Sequence, residues 1–202
     1  VSGYNALLYT DSLFVLETPD HFVVSGNLKY GDAAGVPLIG FEVRLVHNNI
    51  AIDSCTTLQD GYFQMIMPDS GLYIPFVKQP PVWGGVNSTD ALMVMKHFVA
   101  VDTLCGLALQ AADVDSNLYI NAADALQIQK RYVGMISAFS RPDWIFSDIA
   151  IYNDLSGNKQ VIITGICTGD VNISYTPVLP QATPAVKNDL PEYNKQKPTF
   201  NH

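Results

Sequence analysis

Glutamate is nearly missing from this chain. Of its 19 acidic residues only Glu17, Glu42 and Glu192 carry the longer side chain, and the rest are Asp. Short-armed carboxylates suit turns and oxygen ligation of hard cations better than helix surfaces. Basic residues are also few, 11 Lys and Arg together, so the formal charge is −8 and the pI about 4.7. That balance excludes the electropositive footprint of a nucleic-acid binder and any attraction to an anionic membrane surface. Cys55, Cys105 and Cys167 stand far apart in apolar settings with no C-x-x-C spacing, which excludes a zinc site or a disulfide framework and leaves room for at most one bridge. They read as plain buried thiols. His21, His47, His97 and His202 are isolated, and G-x-S-x-G, H-E-x-x-H and a phosphate loop are all missing, so no catalytic activity is expected. No apolar run reaches the ~18 residues that a membrane-spanning helix needs. No secretory leader stands at the start, which is Val rather than Met, and the chain reads as a processed protein or a piece of a longer one.

What the chain does have is 48% hydrophobic residues over 202 positions, enough for a sizeable core. From residue 12 to 78 these follow period two or short runs: "SLFVLE", "HFVVSGNLKY", "FEVRLVHN", "IAIDSCTT", "YFQMIM" and "LYIPFV". Turns such as "GDAAGVP", "HNN" and "PDSG" separate them, predicting five to seven short strands in a β-sandwich. At Asp90 the period becomes helical. In "DALMVMKHFVAV" apolar side chains recur at Leu92, Met95 and Val99, with Ala91, Val94 and Phe98 one step round, and "DALQIQKRYVGMI" repeats the pattern. A shorter helix fits "TLCGLALQAA", and strand patterns return in "WIFSDIAIYND" and "KQVIITGICT", joined by the turn "LSGN". The expected fold is mainly β with an α insertion. Its parts are an extension or first strand over 1–20, a sandwich over 21–79, helical repeats over 80–140, returning strands over 141–177 and a Pro-rich extended tail over 178–202.

The two helical stretches are copies. "NSTDALMVMKHFVAV" at 87–101 aligns on "NAADALQIQKRYVGM" at 121–135 with an offset of 34 residues, the mark of a duplicated loop-and-helix unit. Before the second helix, "DVDSNLYINAAD" sets Asp113, Asp115 and Asn117 at positions one, three and five, Tyr119 at seven, Asn121 at nine and Asp124 at twelve. A twelve-residue loop wraps a calcium ion by turning alternate side chains and one backbone carbonyl inward, and this is that spacing. Leu118 stands at position six, where Gly is usual. The other reading of the loop is a metal-free turn that caps the helix through Asp124. Before the first helix no early ligands exist, yet Gly85, Asn87 and Asp90 supply positions seven, nine and twelve. The missing front half stands some eighty residues later in "GDVNISYTP", where Asp170, Asn172 and Ser174 have the spacing of positions one, three and five. The expectation is a second calcium loop split between two distant segments, weaker than the first because only Asp170 and Asp90 are charged. The plain alternative for "GDVNIS" is a turn after a strand.

The closing Asp, the helix on one side only and the words "VNSTDALMVMKHF" and "INAADALQIQKRY" resemble dockerin type I repeats over residues 84–136. The stretches "SGNLKY", "PLIGFEV" and "DGYFQM…SGLY" resemble a transthyretin-like or Cna-B-like sandwich. The resemblance implies a β-sandwich plus a dockerin-like pair of calcium repeats, as in large secreted or surface proteins of Bacteroidetes-type bacteria. It implies calcium as cofactor, a protein partner or neighbouring subunit, and an extracellular setting where calcium is millimolar. Two functions follow: a calcium-rigidified structural module, or a dockerin that docks onto a cohesin-like partner in polysaccharide-degrading complexes. For docking, the resemblance assigns Ser88, Thr89, Met95 and Lys96 on one repeat and Ala122, Ala123, Gln129, Lys130 and Arg131 on the other.

Overall fold

A computed structural model describes residues 21–177. The expected strand at 12–17 and the tail at 178–202 lie outside the described residues.

Strand β1 (Phe22–Tyr30) has Val24, Leu28 and Tyr30 buried, on alternate positions that face one side. The same alternation buries Val43 and Leu45 of β2 (Glu42–His47), while β3 (Ile50–Thr56) is largely exposed. It buries Phe63, Met65 and Met67 of β4 (Tyr62–Met67) and Tyr73 and Val77 of β5 (Gly71–Val77). Each large apolar side chain so enclosed contributes roughly 1.5–3 kcal/mol. Strands β6 (Trp144–Phe146), β7 (Ile151–Asn153) and β8 (Lys159–Cys167) follow the helices. The sheets have the orders β4-β1-β8-β6 and β3-β2-β5-β7, and their buried faces meet in one core.

Two features differ from the sequence expectation. "WIFSDIAIYND" is not one strand: β6 pairs with β8 in one sheet and β7 with β5 in the other, so the chain crosses between sheets at residues 147–150. The turn "LSGN" therefore joins strands of different sheets rather than a hairpin. Strand β8 lies between β1 and β6, parallel to β1 over Val24–Tyr30 against Lys159–Gly165, so strands from both sides of the helical insertion share one sheet. Parallel neighbours need a long crossover, and the helices lie within it.

Helix α1 (Ser88–Phe98), α2 (Gly106–Ala112) and α3 (Ala122–Tyr132) form the insertion. Asn87 and Asn121 open α1 and α3 with the same capping box, each side chain accepting from the N–H of Thr89 or Ala123 while Asp90 or Asp124 accepts from the Asn backbone N–H. Ala91 and Val94 of α1 and Ala125 and Ile128 of α3 are buried, and the two helices pack together. Both then turn into the left-handed region one step past the cap, at Ala100 (φ 58°) and Gly134 (φ 76°). Apolar residues on and just after both helices stay uncovered: Leu92, Phe98, Val99 and Val101 are exposed, and so are Leu126, Tyr132, Val133 and Met135, each 34 residues on.

Candidate metal centre

The complete loop starts where α2 ends. Asp113 Oδ1 accepts from the Asn117 N–H at 3.0 Å and Oδ2 from the Leu118 N–H at 3.2 Å, drawing the backbone around the carboxylate. Asp124, fully buried, accepts from the Val114 N–H through Oδ1 (3.1 Å) and the Asn121 N–H through Oδ2 (3.0 Å). The Asn121 Oδ1 caps α3 by accepting from the Ala123 N–H, and its amide donates to the Tyr119 carbonyl. Asp113, Asp115 and Asp124 each offer a carboxylate oxygen, all within 4.8 Å of one another. Burial pushes the Asp124 carboxyl up and Asp115 adds to the rise, against the opposing pull of backbone N–H donors. Leu118, 87% exposed, adopts φ 70°, the conformation that the loop requires and that favours Gly. The strain expected there is therefore present, with no packing to offset it.

The second cluster is assembled from two segments 82 residues apart. The Asn172 N–H donates to Asp90 Oδ1 at 3.0 Å, and the Ser174 hydroxyl donates to the Gly85 carbonyl at 3.1 Å. Within the late segment Asp170 Oδ1 accepts from the Ser174 N–H and Oδ2 from the Tyr175 N–H, both at 3.0 Å. Within the early one Asp90 Oδ2 accepts from the Asn87 N–H at 2.8 Å and Asn87 Oδ1 from the Thr89 N–H at 2.8 Å. Most of these bonds repeat those of the continuous loop: Asp170 accepts as Asp113 does, Asn87 as Asn121 and Asp90 Oδ2 as Asp124 Oδ2, while Asp90 Oδ1 takes its donor from the third position (Asn172) where Asp124 Oδ1 takes it from the second (Val114). Gly85 (φ 87°) occupies the seventh position, and a Cβ there would lie 2.4 Å from Asp170 Oδ2. Asp90 and Asp170 are both fully buried. Burial first, and then neighbouring Asp170, push the Asp90 carboxyl up to about 6 despite its backbone donors.

Of the residues assigned to docking, Ser88, Thr89, Ala122, Ala123 and Gln129 are exposed, and Met95, Lys96 and Lys130 are half-buried. Arg131 is a correction. Its side chain is 5% exposed, stacked 3.4 Å over the Trp83 ring and 4.5 Å from that of Phe139, with Nη2 2.8 Å from Asp143 Oδ1. The dockerin resemblance assigned it to a partner-facing position, but Trp83 and the chain at 139–143 cover that side. Sequence reasoning also missed two donors that reach the clusters from outside. Arg141 Nη1 donates to Asp113 Oδ2 at 3.0 Å, and the Tyr30 hydroxyl to Asp170 Oδ2 at 2.6 Å. With separations of 28 and 140 residues, no local motif could have revealed either.

The carboxylate cluster at the start of α3 has the form of a calcium-binding loop-and-helix unit, and a second cluster of oxygen groups sits likewise at the start of α1. Residues 84–132 match the family model of the dockerin type I domain, beside the two sheets. Dockerin type I domains bind calcium and mediate protein–protein interaction, with cohesins as partners. The matched residues include Gly85–Asp90 and the whole of Asp113–Asp124 but stop before Asp170–Ser174. No curated protein matches the chain. Among the described residues no helix is long and apolar enough to cross a membrane.

Proposed function

We propose that this chain is a non-catalytic, calcium-rigidified assembly module of a large cell-surface or secreted protein. The supporting observation is the Asn172-to-Asp90 clasp, which brings the chain after the last strand onto the start of the first helix. The donor chemistry fits calcium, since both clusters offer only oxygen, from carboxylates, side-chain amides or a hydroxyl, and backbone carbonyls. Asp113, Asp115, Asn117, Asp124 and the Tyr119 carbonyl, with Asn121 at the ninth position, would hold one ion. Asp170, Asn172, Ser174, Asp90 and the Gly85 carbonyl, with Asn87 ninth, would hold the other. Bound calcium supplies positive charge that no Lys or Arg among the described residues provides to Asp90 or Asp170. The chain's own part is to hold the carboxylates in place with backbone N–H donors and to shield them by burial.

Calorimetric titration with calcium tests this reading. Two ions per chain are expected, falling to one in Asp170→Ala and in Asp113→Ala; a single ion in the parent protein refutes the split site.

The uncovered apolar residues of both repeats favour docking as the second reading. Leu92, Phe98, Val99 and Val101 on one repeat and Leu126, Tyr132, Val133 and Met135 on the other are exposed apolar residues, more than solubility calls for. A cohesin-type domain would then be retained by the parent protein in calcium and lost from a Leu92→Asp/Leu126→Asp double variant. Retention by that variant refutes the reading.

A further inference from the structure

The first-position carboxylates of the two clusters share one more feature, and it does not come from the loops. Asp113 Oδ2 accepts the backbone N–H of Leu118 and also the Arg141 guanidinium. Asp170 Oδ2 accepts the backbone N–H of Tyr175 and also the Tyr30 hydroxyl. At the same oxygen of the same loop position, each cage receives one donor from outside its own loop and helix. Tyr30 is the last residue of β1 and is 1% exposed. Its ring packs edge-on against Trp144 and Tyr175, with centroids at 5.7 and 5.8 Å, so the hydroxyl has little freedom to leave Asp170. The same hydroxyl accepts the N–H of Cys167, the last residue of β8, at 3.1 Å.

We propose that Tyr30 is a positioning residue of the split calcium site, which fixes the Asp170 carboxylate from within the sandwich and so joins calcium binding to the core of the β-sheets. The inference rests on the split-site reading above. A donor on Oδ2 stops rotation of the carboxylate about its Cβ–Cγ bond and keeps Oδ1 on the Ser174 N–H. Outer partners of this kind orient metal ligands, and their loss costs about 10–100-fold in affinity. Arg141 does the same for Asp113 but brings a full positive charge, whereas Tyr30 leaves the charge of Asp170 whole. The continuous loop has three carboxylates and a guanidinium, and the split site has two carboxylates and a neutral phenol. Each cage thus presents two net negative charges to a divalent ion.

The test is Tyr30→Phe in the full chain, with Asp115→Ala as a background that weakens the continuous loop so that the split site can be read alone. Calcium titration should show about 10-fold weaker binding at the split site, with the continuous loop unchanged when Asp115 is present. A purely structural hydroxyl would lower the melting temperature equally with calcium and with chelator. A positioning hydroxyl instead shrinks the increment that calcium adds. Independently of any variant, the Tyr30 ring Cζ resonance of the parent protein should shift as the split site fills. Unchanged affinity with an equal loss of melting temperature in both states, or a Tyr30 signal indifferent to calcium, overturns the proposal. A parent stoichiometry of one overturns the split site itself and this inference with it.

Discussion

Leu118 keeps φ 70° although a β-carbon in that region costs roughly 1–2 kcal/mol. The loop imposes the angle because Asp113 needs two consecutive N–H donors, from Asn117 and Leu118, pointed at it. Since the side chain is exposed, Leu118→Gly removes strain and loses no packing, while the freer unfolded chain takes back part of the gain. The expected net is about 0.5–1 kcal/mol in favour of the folded state, a rise of about 2 °C in melting temperature, with calcium bound more tightly at Asp113–Asp124. Calorimetric melting and titration of the variant measure both. Gly85→Ala runs the other way, because its β-carbon would meet Asp170 Oδ2 and its φ of 87° disfavours any side chain. Loss of one calcium per chain is expected, read by the stoichiometry of titration.

At the level of elements, what the sequence disclosed depended on whether a signal was local. The described strands of the sandwich, both long helices and the continuous loop are written in period and spacing within a few residues, and the structure has them there; that Asn87 and Asn121 also cap the helices was not read from the sequence. That Gly85–Asp90 and Asp170–Ser174 meet was legible for a different reason: an internal repeat supplied a template, and the template showed which half each segment lacked. Nothing local marks the division of residues 144–153 between two sheets, or the contacts of Arg131, Tyr30 and Arg141, because each depends on which strand lies beside which. Arg131 shows the consequence. On α3 it has the spacing of a surface residue, yet Trp83, from the segment before α1, and Phe139 enclose it, and its Nε and Nη1 have no hydrogen-bond partner. The rings therefore hold the cation as much as Asp143 does, which is 43% exposed and keeps its water. Arg131→Ala should cost about 2–3 kcal/mol through lost stacking and packing, and Arg131→Met about half as much. Chemical denaturation gives the values, and Trp83 emission should move to the red in the Ala variant alone. Equal losses in both would mean that charge, not stacking, carries the contact.

Across the whole molecule the two clusters and the sandwich meet in one small region. The Trp83 indole donates to the Thr168 carbonyl, two residues before Asp170, and the Trp144 indole donates to the Val82 carbonyl, shortly before Gly85. The Gly169 N–H donates to the Ala111 carbonyl, two residues before Asp113, and the Arg141 N–H to the Val114 carbonyl. Residues 139–143 thus touch the continuous loop through Arg141 and hold Thr168 through the Asp143 carbonyl, just before β8's end leads on to Asp170. Filling either cage stabilises segments that the sandwich also needs, so helices and sheets should unfold together rather than as two domains. A ligand that binds only the folded state adds RT ln(1 + [L]/Kd), about 2.7 kcal/mol per site at 100 times Kd. In millimolar calcium, melting followed by far-ultraviolet helix signal and by near-ultraviolet Trp144 and Tyr30 signal should give one coincident transition. Chelation of both ions should lower that transition by about 10–20 °C in both signals together. Two separate transitions, with only the helical one moved by chelator, would show that the cages stabilise the repeats alone and that the clasp through Asp170 transmits nothing to the sandwich.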